Sequence, residues 1–218
     1  MEVSDKYMNM ITIIKKMRPL SVRRFLPKKL NQAINTIKAP RMVWGYKDSN
    51  GEWRPRTRIS DTVFMYHPER IRIADNVFIW HYSILDGTGA IEIGEGTQIG
   101  AWVGIFTHSS HIAIRIYGNH YQEIPEQSKK GYPINRVKVG KYVFIGAGAK
   151  IMPGAVKGTI TIGDGSIVTP GSIVNKDVGD FQIVSGNPCE VIGGTGDIDK
   201  MYLRDPDLLR NYQEWQKK

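Results

Sequence analysis

The sequence feature that most constrains the fold is a repeat of aliphatic residues at every sixth position. Five triplets between residues 59 and 174 keep this spacing: Ile59, Met65 and Ile71; Ile73, Ile79 and Leu85; Ile93, Ile99 and Ile105; Val139, Ile145 and Ile151; Ile162, Val168 and Val174. A period of six matches neither the 3.6-residue period of a helix nor the two-residue alternation of an ordinary strand. It predicts side chains that point, one per short strand, into a shared core.

Four short segments that resemble one another mark the start of successive repeats. They are IRIAD, IEIGE, VKVGK and ITIGD, and their starts at Ile71, Ile91, Val137 and Ile160 lie 20, 46 and 23 residues apart. Three hexapeptides span 18 residues, so the spacings contain insertions of 2, 28 and 5 residues. We therefore predict an all-β prism, a β-helix with three short strands per coil. Each coil buries its apolar face only against its neighbours, so both ends need caps.

The repeat divides the chain into three parts. Residues 59–195 form the predicted β-helix, and a long excursion loop at about residues 112–136 contains most of the 28-residue insertion. Long excursions of this kind are usually functional. Residues 1–58 are expected to form a basic, partly helical N-terminal cap, with the helical character between residues 7 and 37. Residues 196–218 form a helical tail, with a short helix that begins at Asp205 or Asp207.

Charge and cysteine content narrow the class of protein. Residues 1–58 hold 14 Lys and Arg against 4 Asp and Glu, whereas the remainder holds 16 against 17. The basic segment lacks the motifs of nucleic-acid-binding modules, so no nucleic-acid partner is expected, but contact with the inner membrane surface stays open. The single cysteine, Cys189, excludes an intrachain disulfide. The apolar run MNMITII is interrupted by Lys15 and Lys16, which argues against a membrane span, and we expect a soluble, cytoplasmic protein.

Three segments carry a resemblance to a known family. IGAGAKIMPGA (145–155), IVTPGSIVNKDV (167–178) and VSGNPCEVI (184–192) resemble the closing coils of the hexapeptide-repeat acyltransferases, whose fold is a left-handed parallel β-helix. The stretches APRMVWGYKDSNGEWRPRTRIS and FIWHYSILDG are similar to the subgroup that acetylates bacterial cell-surface glycans, such as capsule or O-antigen. The resemblance implies a homotrimeric O-acetyltransferase that binds acetyl-CoA between neighbouring prisms.

The stretch IFTHSSHIAIRIYG (105–118) supplies candidates for the catalytic base. A sugar hydroxyl is a weak nucleophile until a base takes its proton, and histidine titrates in a suitable range. The resemblance places the catalytic histidine at the end of the third coil. Counting from residues 93 and 94 favours His111, and a different gap favours His108. The resemblance also implies direct transfer, with a backbone N–H near Gly146 and Ala147 of an adjacent chain stabilising the oxyanion.

The matching motifs also suggest where the two substrates bind. CoA contacts are expected from Gly146, Ala147, Gly148, Pro170, Asn175 and Lys176, with Lys157 as a further phosphate contact. Acceptor contacts are expected from Asp86, His81, Tyr82, Trp102, Arg115 and Tyr121, through hydrogen bonds or stacking.

Other functions compete with this interpretation. The chain could instead acetylate the amine of a nucleotide-linked amino sugar, or serve as a non-catalytic β-helix scaffold. A zinc site of His108, His111 and either His120 or His81 is disfavoured because the spacing differs from that of the β-helical carbonic anhydrases, so no metal is expected. Cys189 is a rival nucleophile, but a small buried hydrophobic side chain is the favoured interpretation.

Overall fold

The computed structural model describes residues 27, 30, 39–154 and 158–217. The chain divides into two units, Met1–Pro40 and Arg41–Lys218, and the candidate site lies in the second. The predicted helical segment at residues 7–37, apart from Pro27 and Leu30, lies outside the described residues, and so does Lys157. Within the described residues, no helix has the length and apolar character needed to cross a bilayer.

Short strands dominate the second unit. The strands are β1 (Met42–Lys47), β2 (Trp53–Ser60), β3 (Phe64–Tyr66), β4 (Ile71–Ile73), β5 (Phe78–Ile79), β6 (Ile84–Asp86), β7 (Ile91–Ile93), β8 (Gln98–Ile99), β9 (Gly104–Phe106), β10 (Arg136–Val139), β11 (Phe144–Ile145), β12 (Lys150–Ile151), β13 (Thr159–Ile162), β14 (Ile167–Val168), β15 (Ile173–Val174), β16 (Gln182–Gly186) and β17 (Cys189–Gly194). The helices are α1 (Ala113–Tyr117), α2 (Thr195–Asp199) and α3 (Pro206–Gln216), and 3-10 turns lie at Pro68–Arg70, Gly118–Glu123 and Glu126–Ser128.

Three sheets form the sides of the prism, and the strands of successive coils pair in parallel, which confirms the predicted left-handed parallel β-helix. Side A has the strand order β1-β2-β5-β8-β11-β14-β16-β17, side B the order β15-β12-β9-β6-β3, and side C the order β13-β10-β7-β4. Strands three apart in sequence pair in register, so the residues of the six-residue repeat stack in columns. On side A, Ile79 pairs with Ile99, and Ile145 pairs with Ile99 and Val168.

The columns of aliphatic side chains form the core. Ile79, Leu85, Ile99, Ile105 and Ile145 are all fully buried. Burial of an aliphatic side chain of this size contributes roughly 1.5–3 kcal/mol. A side chain in a column therefore contributes this stability only where the neighbouring coils stack on its own coil and bury it.

The corner between sides A and B explains where glycine is needed. One position in each coil adopts a left-handed backbone: φ is 61° at Tyr82, 57° at Trp102, 75° at Gly148 and 74° at Gly171. Glycine adopts this conformation without strain, whereas other residues incur a cost of roughly 1 kcal/mol. The later coils use glycine at this corner. The earlier coils carry two aromatic side chains, whose rings stack with their centroids 6.3 Å apart and their planes 9° apart.

A hairpin that the sequence does not signal joins the start of the prism. β1 and β2 pair antiparallel, and Arg58 and Ile59 of β2 pair in parallel with Phe78 and Ile79 of β5. The predicted boundary between residues 58 and 59 therefore falls inside β2. The hairpin belongs to the same compact unit as the prism, which begins at Arg41.

The C-terminal tail packs along a side of the prism. Asp205 caps α3, as expected, because its carboxylate accepts hydrogen bonds from the backbone N–H groups of Asp207 and Leu208. Trp215 of α3 packs against Tyr142 and Phe181, with centroid separations of 4.6 and 5.7 Å. These contacts tie α3 to the corner between sides C and A.

Candidate active site

The candidate site lies where β9 ends and the long excursion begins. The outgoing and returning arms of the excursion pair at their base, where His108 and Ile134 form an isolated antiparallel bridge. The Asn135 N–H donates to the Thr107 carbonyl at 2.7 Å, and the Ser109 N–H donates to the Pro133 carbonyl at 3.3 Å. These bonds hold the backbone on both sides of His108.

Asp86 fixes the imidazole of His108. Its Oδ2 lies 2.6 Å from His108 Nδ1, and the same oxygen accepts the Thr107 N–H at 3.0 Å. Oδ1 accepts from the Thr88 N–H and hydroxyl at 3.1 and 2.6 Å. Asp86 is 4% exposed, and both of its carboxylate oxygens are engaged by groups of this chain. Sequence analysis expected Asp86 to contact the acceptor, but the structure places it behind His108.

The charge state of Asp86 determines the tautomer of His108. Burial raises the pKa of Asp86, but hydrogen bonds from Thr88, Thr107 and His108 outweigh burial and leave this pKa below its usual value. The group is therefore a carboxylate at neutral pH, and a carboxylate only accepts hydrogen bonds. The proton of a neutral His108 ring must then lie on Nδ1, and Nε2 carries the free lone pair. The His108 side chain is 32% exposed, so the ring is partly open to solvent.

His111 has a different environment. Its Nδ1 contacts the hydroxyl of Ser109, and its side chain is exposed on the outer side of the excursion. Its backbone carbonyl accepts a hydrogen bond from the guanidinium of Arg115. No carboxylate of the described residues orients this ring, so the structure does not fix its tautomer.

The two histidines do not form a metal centre with their neighbours. His120 pairs with Glu123 at 2.9 Å on the surface of the excursion, and His81 Nδ1 lies 2.6 Å from the hydroxyl of Ser60. In the described part of the chain, no group of three His, Cys, Asp or Glu side chains converges as metal ligands would. Cys189 is fully buried, and burial raises the pKa of its thiol.

The residues expected to bind CoA lie on later coils, at the corner between sides A and B. Gly146 N–H donates to the Val168 carbonyl and Gly148 N–H to the Ala101 carbonyl, both at 2.8 Å. The Ala147 N–H has no acceptor among the described residues, and Ala147 is exposed. A groove of about 160 Å³ runs beside Ala147. It is lined by Phe78, Trp80, Gln98, Ile99, Gly100 and Phe144.

The other expected CoA contacts lie on the last coils, with Pro170 next to Gly146 and with Asn175 and Lys176 directly after β15. Pro170 and Asn175 are exposed there. Lys176 is also exposed, and its ammonium pairs with Glu190 at 2.8 Å. An exposed ion pair of this kind contributes little to stability. Lys176 can therefore exchange Glu190 for a phosphate at low cost.

The expected acceptor contacts fall into two groups. Tyr82 and Trp102 stack at the corner between sides A and B, next to His81. Arg115 and Tyr121 lie in the excursion, where the ring of Tyr121 faces the Lys129 ammonium at 4.1 Å. The structure thus places these residues on two separate elements of one chain.

Sequence analysis missed one residue that contacts His108. Tyr132, on the returning arm, is 9% exposed, and its ring centroid lies 5.3 Å from that of His108. The sequence does show that Tyr132 is an aromatic residue just before the point where the excursion rejoins the prism. The pairing of the two arms, which brings these rings together, cannot be read from spacing.

Comparisons with known proteins find similarity to acetyltransferases. No protein-family model matches the chain. The chain is 44% identical over 61 residues to the putative acetyltransferase YvoF of Bacillus subtilis. This match covers 28% of this chain and 33% of that protein. The chain is also 36% identical over 95 residues to the galactoside O-acetyltransferase of Escherichia coli. This match covers 44% of this chain and 38% of that protein. The matches thus span less than half the length of these relatives.

A solved structure extends the similarity to a larger share of the chain. The hexapeptide-repeat containing acetyltransferase VCA0836 from Vibrio cholerae matches with a TM-score of 0.51 and 25% identity, over 62% of this chain and 69% of that one. Both this match and the partial sequence matches are to acetyltransferases.

Proposed function

We propose that this chain is an acetyl-CoA-dependent O-acetyltransferase of the hexapeptide-repeat acyltransferase family. The acceptor is a hydroxyl of a sugar in a bacterial cell-surface glycan. The observation that carries the proposal is the hydrogen bond between Asp86 and His108 Nδ1, because it leaves Nε2 as a free base at the edge of the prism. The similarity to a galactoside O-acetyltransferase supports a sugar hydroxyl as the acceptor.

We assign the base to His108, although counting along the sequence favours His111. A general base needs a fixed lone pair, and only His108 of this pair has a carboxylate that fixes its tautomer. The exposed ring of His111 is instead available to contact the acceptor. Arg115 and Tyr121 lie in the same excursion as His111, and for that reason we place them on the acceptor side too.

The reaction proceeds as a direct transfer. Nε2 of His108 takes the hydroxyl proton as the acceptor oxygen forms a bond to the thioester carbonyl carbon. The tetrahedral intermediate then collapses, the carbon–sulfur bond breaks, and the imidazolium returns the proton to the CoA thiolate. The products are an acetyl ester and CoA, and the protein is unchanged. Asp86 stabilises the imidazolium by charge while that ring holds the second proton.

The donor site completes the chemistry. The Ala147 N–H is the candidate oxyanion donor, since the N–H groups of Gly146 and Gly148 already bond within the prism. The groove beside Ala147 suits the apolar parts of pantetheine, and Lys176 suits a phosphate. In a homotrimer, the Ala147 corner of one chain would face His108 of its neighbour. Acetyl-CoA is a cytoplasmic metabolite, so we place the reaction in the cytoplasm or at the inner face of the membrane.

The test is CoA release from acetyl-CoA over a panel of acceptors that includes neutral sugars, oligosaccharides and amino sugars. We expect release with a sugar hydroxyl, a loss of about 10²- to 10⁴-fold in kcat for His108→Ala, and a change of less than about tenfold for His111→Ala. Transfer only to amines would support the amino-sugar alternative and contradict this proposal. Absence of acetyl-CoA binding would favour the scaffold. Loss of activity in His111→Ala alone would overturn the assignment of the base.

A further inference from the structure

Tyr132 contacts the proposed base, His108, but has no role in the proposed reaction. It lies on the returning arm of the excursion, next to the backbone bonds that join this arm to the outgoing one. The preceding residue, Gly131, has a φ of 69°, and its carbonyl accepts the N–H of the buried Ala113 at 3.1 Å. Tyr132 is therefore held by backbone contacts on both sides.

The ring of Tyr132 packs beside the His108 imidazole in a tilted arrangement. The two centroids are 5.3 Å apart and the planes differ by 30°. Tyr132 is 9% exposed, whereas the His108 side chain is 32% exposed. The phenol ring is therefore nearly buried beside an imidazole that stays partly accessible.

The phenol of Tyr132 does not exchange protons with His108. Burial, and then the charge of Glu126, raise the pKa of Tyr132 far above its ordinary value, so the hydroxyl stays protonated at neutral pH. The Lys129 ammonium lies 5.9 Å from the Tyr132 ring and 4.1 Å from the Tyr121 ring. Cation–π contacts of this kind link Tyr132 to the rest of the excursion.

A hydrogen bond at one nitrogen does not fix an imidazole by itself. The second side-chain torsion of histidine has a broad energy profile, so a ring anchored at Nδ1 can still pivot. Catalytic groups need to be held within about 0.5 Å and 10–20° of the productive geometry. Asp86 restrains one edge of His108, and the neighbouring ring of Tyr132, with its centroid 5.3 Å away, limits the space into which the imidazole can pivot.

We propose that Tyr132 is a positioning residue that holds the His108 imidazole in the plane required for proton transfer. The inference rests on the proposed function, because it assigns to Tyr132 a role that acts through the general base. Since misplacement of a reacting group by about 1 Å can cost about 10²-fold in rate, loss of the ring is expected to reduce turnover and leave donor binding intact.

The first experiment compares Tyr132→Leu with Tyr132→Phe. We expect Tyr132→Leu to lower kcat by roughly 10- to 100-fold, with KM for acetyl-CoA changed by less than about twofold. Tyr132→Phe keeps the ring and is expected to retain kcat within about threefold of the parent. The matched control is Tyr117→Leu, because the Tyr117 hydroxyl accepts the Lys130 N–H elsewhere in the same excursion. Equal losses in Tyr132→Leu and Tyr132→Phe would overturn the inference, as would equal losses in Tyr132→Leu and Tyr117→Leu.

The second experiment is a double-mutant cycle with His108→Ala. If Tyr132 acts only through His108, Tyr132→Leu has no further effect on kcat in the His108→Ala background. A loss of the same size in both backgrounds would mean that Tyr132 supports the fold or the substrate sites instead. If Tyr132→Leu does not fold, as judged by circular dichroism, Tyr132→Met replaces it, since the flexible thioether fills irregular space. An unchanged kcat in His108→Ala would overturn the assignment of His108 as the base within the proposed function, which separates that failure from a failure of the role given to Tyr132.

Discussion

Replacement of Asp86 by asparagine changes one atom at the centre of the proposed machinery. In the parent, Oδ2 accepts the N–H of Thr107 at 3.0 Å and Nδ1–H of His108 at 2.6 Å. Oδ1 accepts two bonds from Thr88. If the asparagine keeps its oxygen toward Thr88, its NH₂ group faces two other donors. His108 can remain bonded only by moving its proton from Nδ1 to Nε2, which removes the free lone pair.

The magnitudes follow from these contacts. Loss of the base function is expected to lower kcat by about 10²- to 10⁴-fold. The buried Thr107 N–H then faces a donor, which lowers the free energy of unfolding by about 1–3 kcal/mol. Acetyl-CoA binding should be nearly unchanged, because the residues expected to bind CoA lie on later coils. The predicted signature is thus a large loss in kcat with a small change in KM for acetyl-CoA.

The assay is CoA release under saturating acetyl-CoA, combined with urea unfolding of the same variants. Asp75→Asn is the matched control, because Asp75 also accepts side-chain and backbone bonds but pairs with the exposed Arg56, away from the site. We expect Asp75→Asn to retain the parental kcat. A kcat for Asp86→Asn within tenfold of the parent would refute the role given to the Asp86 carboxylate.

The remaining predictions concern the core, the cysteine and acid stability. Ile145→Ala should lower the free energy of unfolding in urea by about 2–5 kcal/mol, because Ile145 is fully buried between two coils; a loss below about 1 kcal/mol would contradict this packing. Cys189→Ala should leave kcat unchanged, and a thiol reagent should label Cys189 only when the protein opens, since this thiol is fully buried and its pKa is raised. The pKa of Asp86 is lowered by folding, so its contribution to stability is present above the ordinary value near 4 and is lost as pH falls through the lower folded pKa. Unfolding measured below about pH 4 should therefore depend less steeply on pH in Asp86→Asn than in the parent.

The prism could be predicted from the sequence because its core obeys a simple rule. Each short strand turns one aliphatic side chain inward, so a six-residue period specifies three sides and their register. The hairpin at residues 42–60 could not be predicted in this way. Its side chains are largely exposed, including Trp44 and Trp53. Its position depends instead on backbone bonds between β2 and β5, and these leave no hydrophobic pattern.

The candidate site was predicted in position but not in detail. The break in the aliphatic pattern located His108 and His111, yet spacing cannot show which ring meets a carboxylate. The position of Asp86 could have been found from the repeat. Its strand pairs with the next coil at an offset of 20 residues, so Asp86 lies opposite Phe106, two residues before His108. The contact with Tyr132 depends on how the excursion folds back. That path is set by hydrogen bonds between its two arms.

The most direct test of the His108–Asp86 pair is the ¹⁵N chemical shift of both ring nitrogens of His108, measured by NMR at a pH where the ring is neutral. The geometry predicts a protonated Nδ1 and an unprotonated Nε2 in the parent, with the opposite tautomer in Asp86→Asn. A proton on Nε2 of the parent would contradict the assignment of His108 as the base that accepts the acceptor's proton.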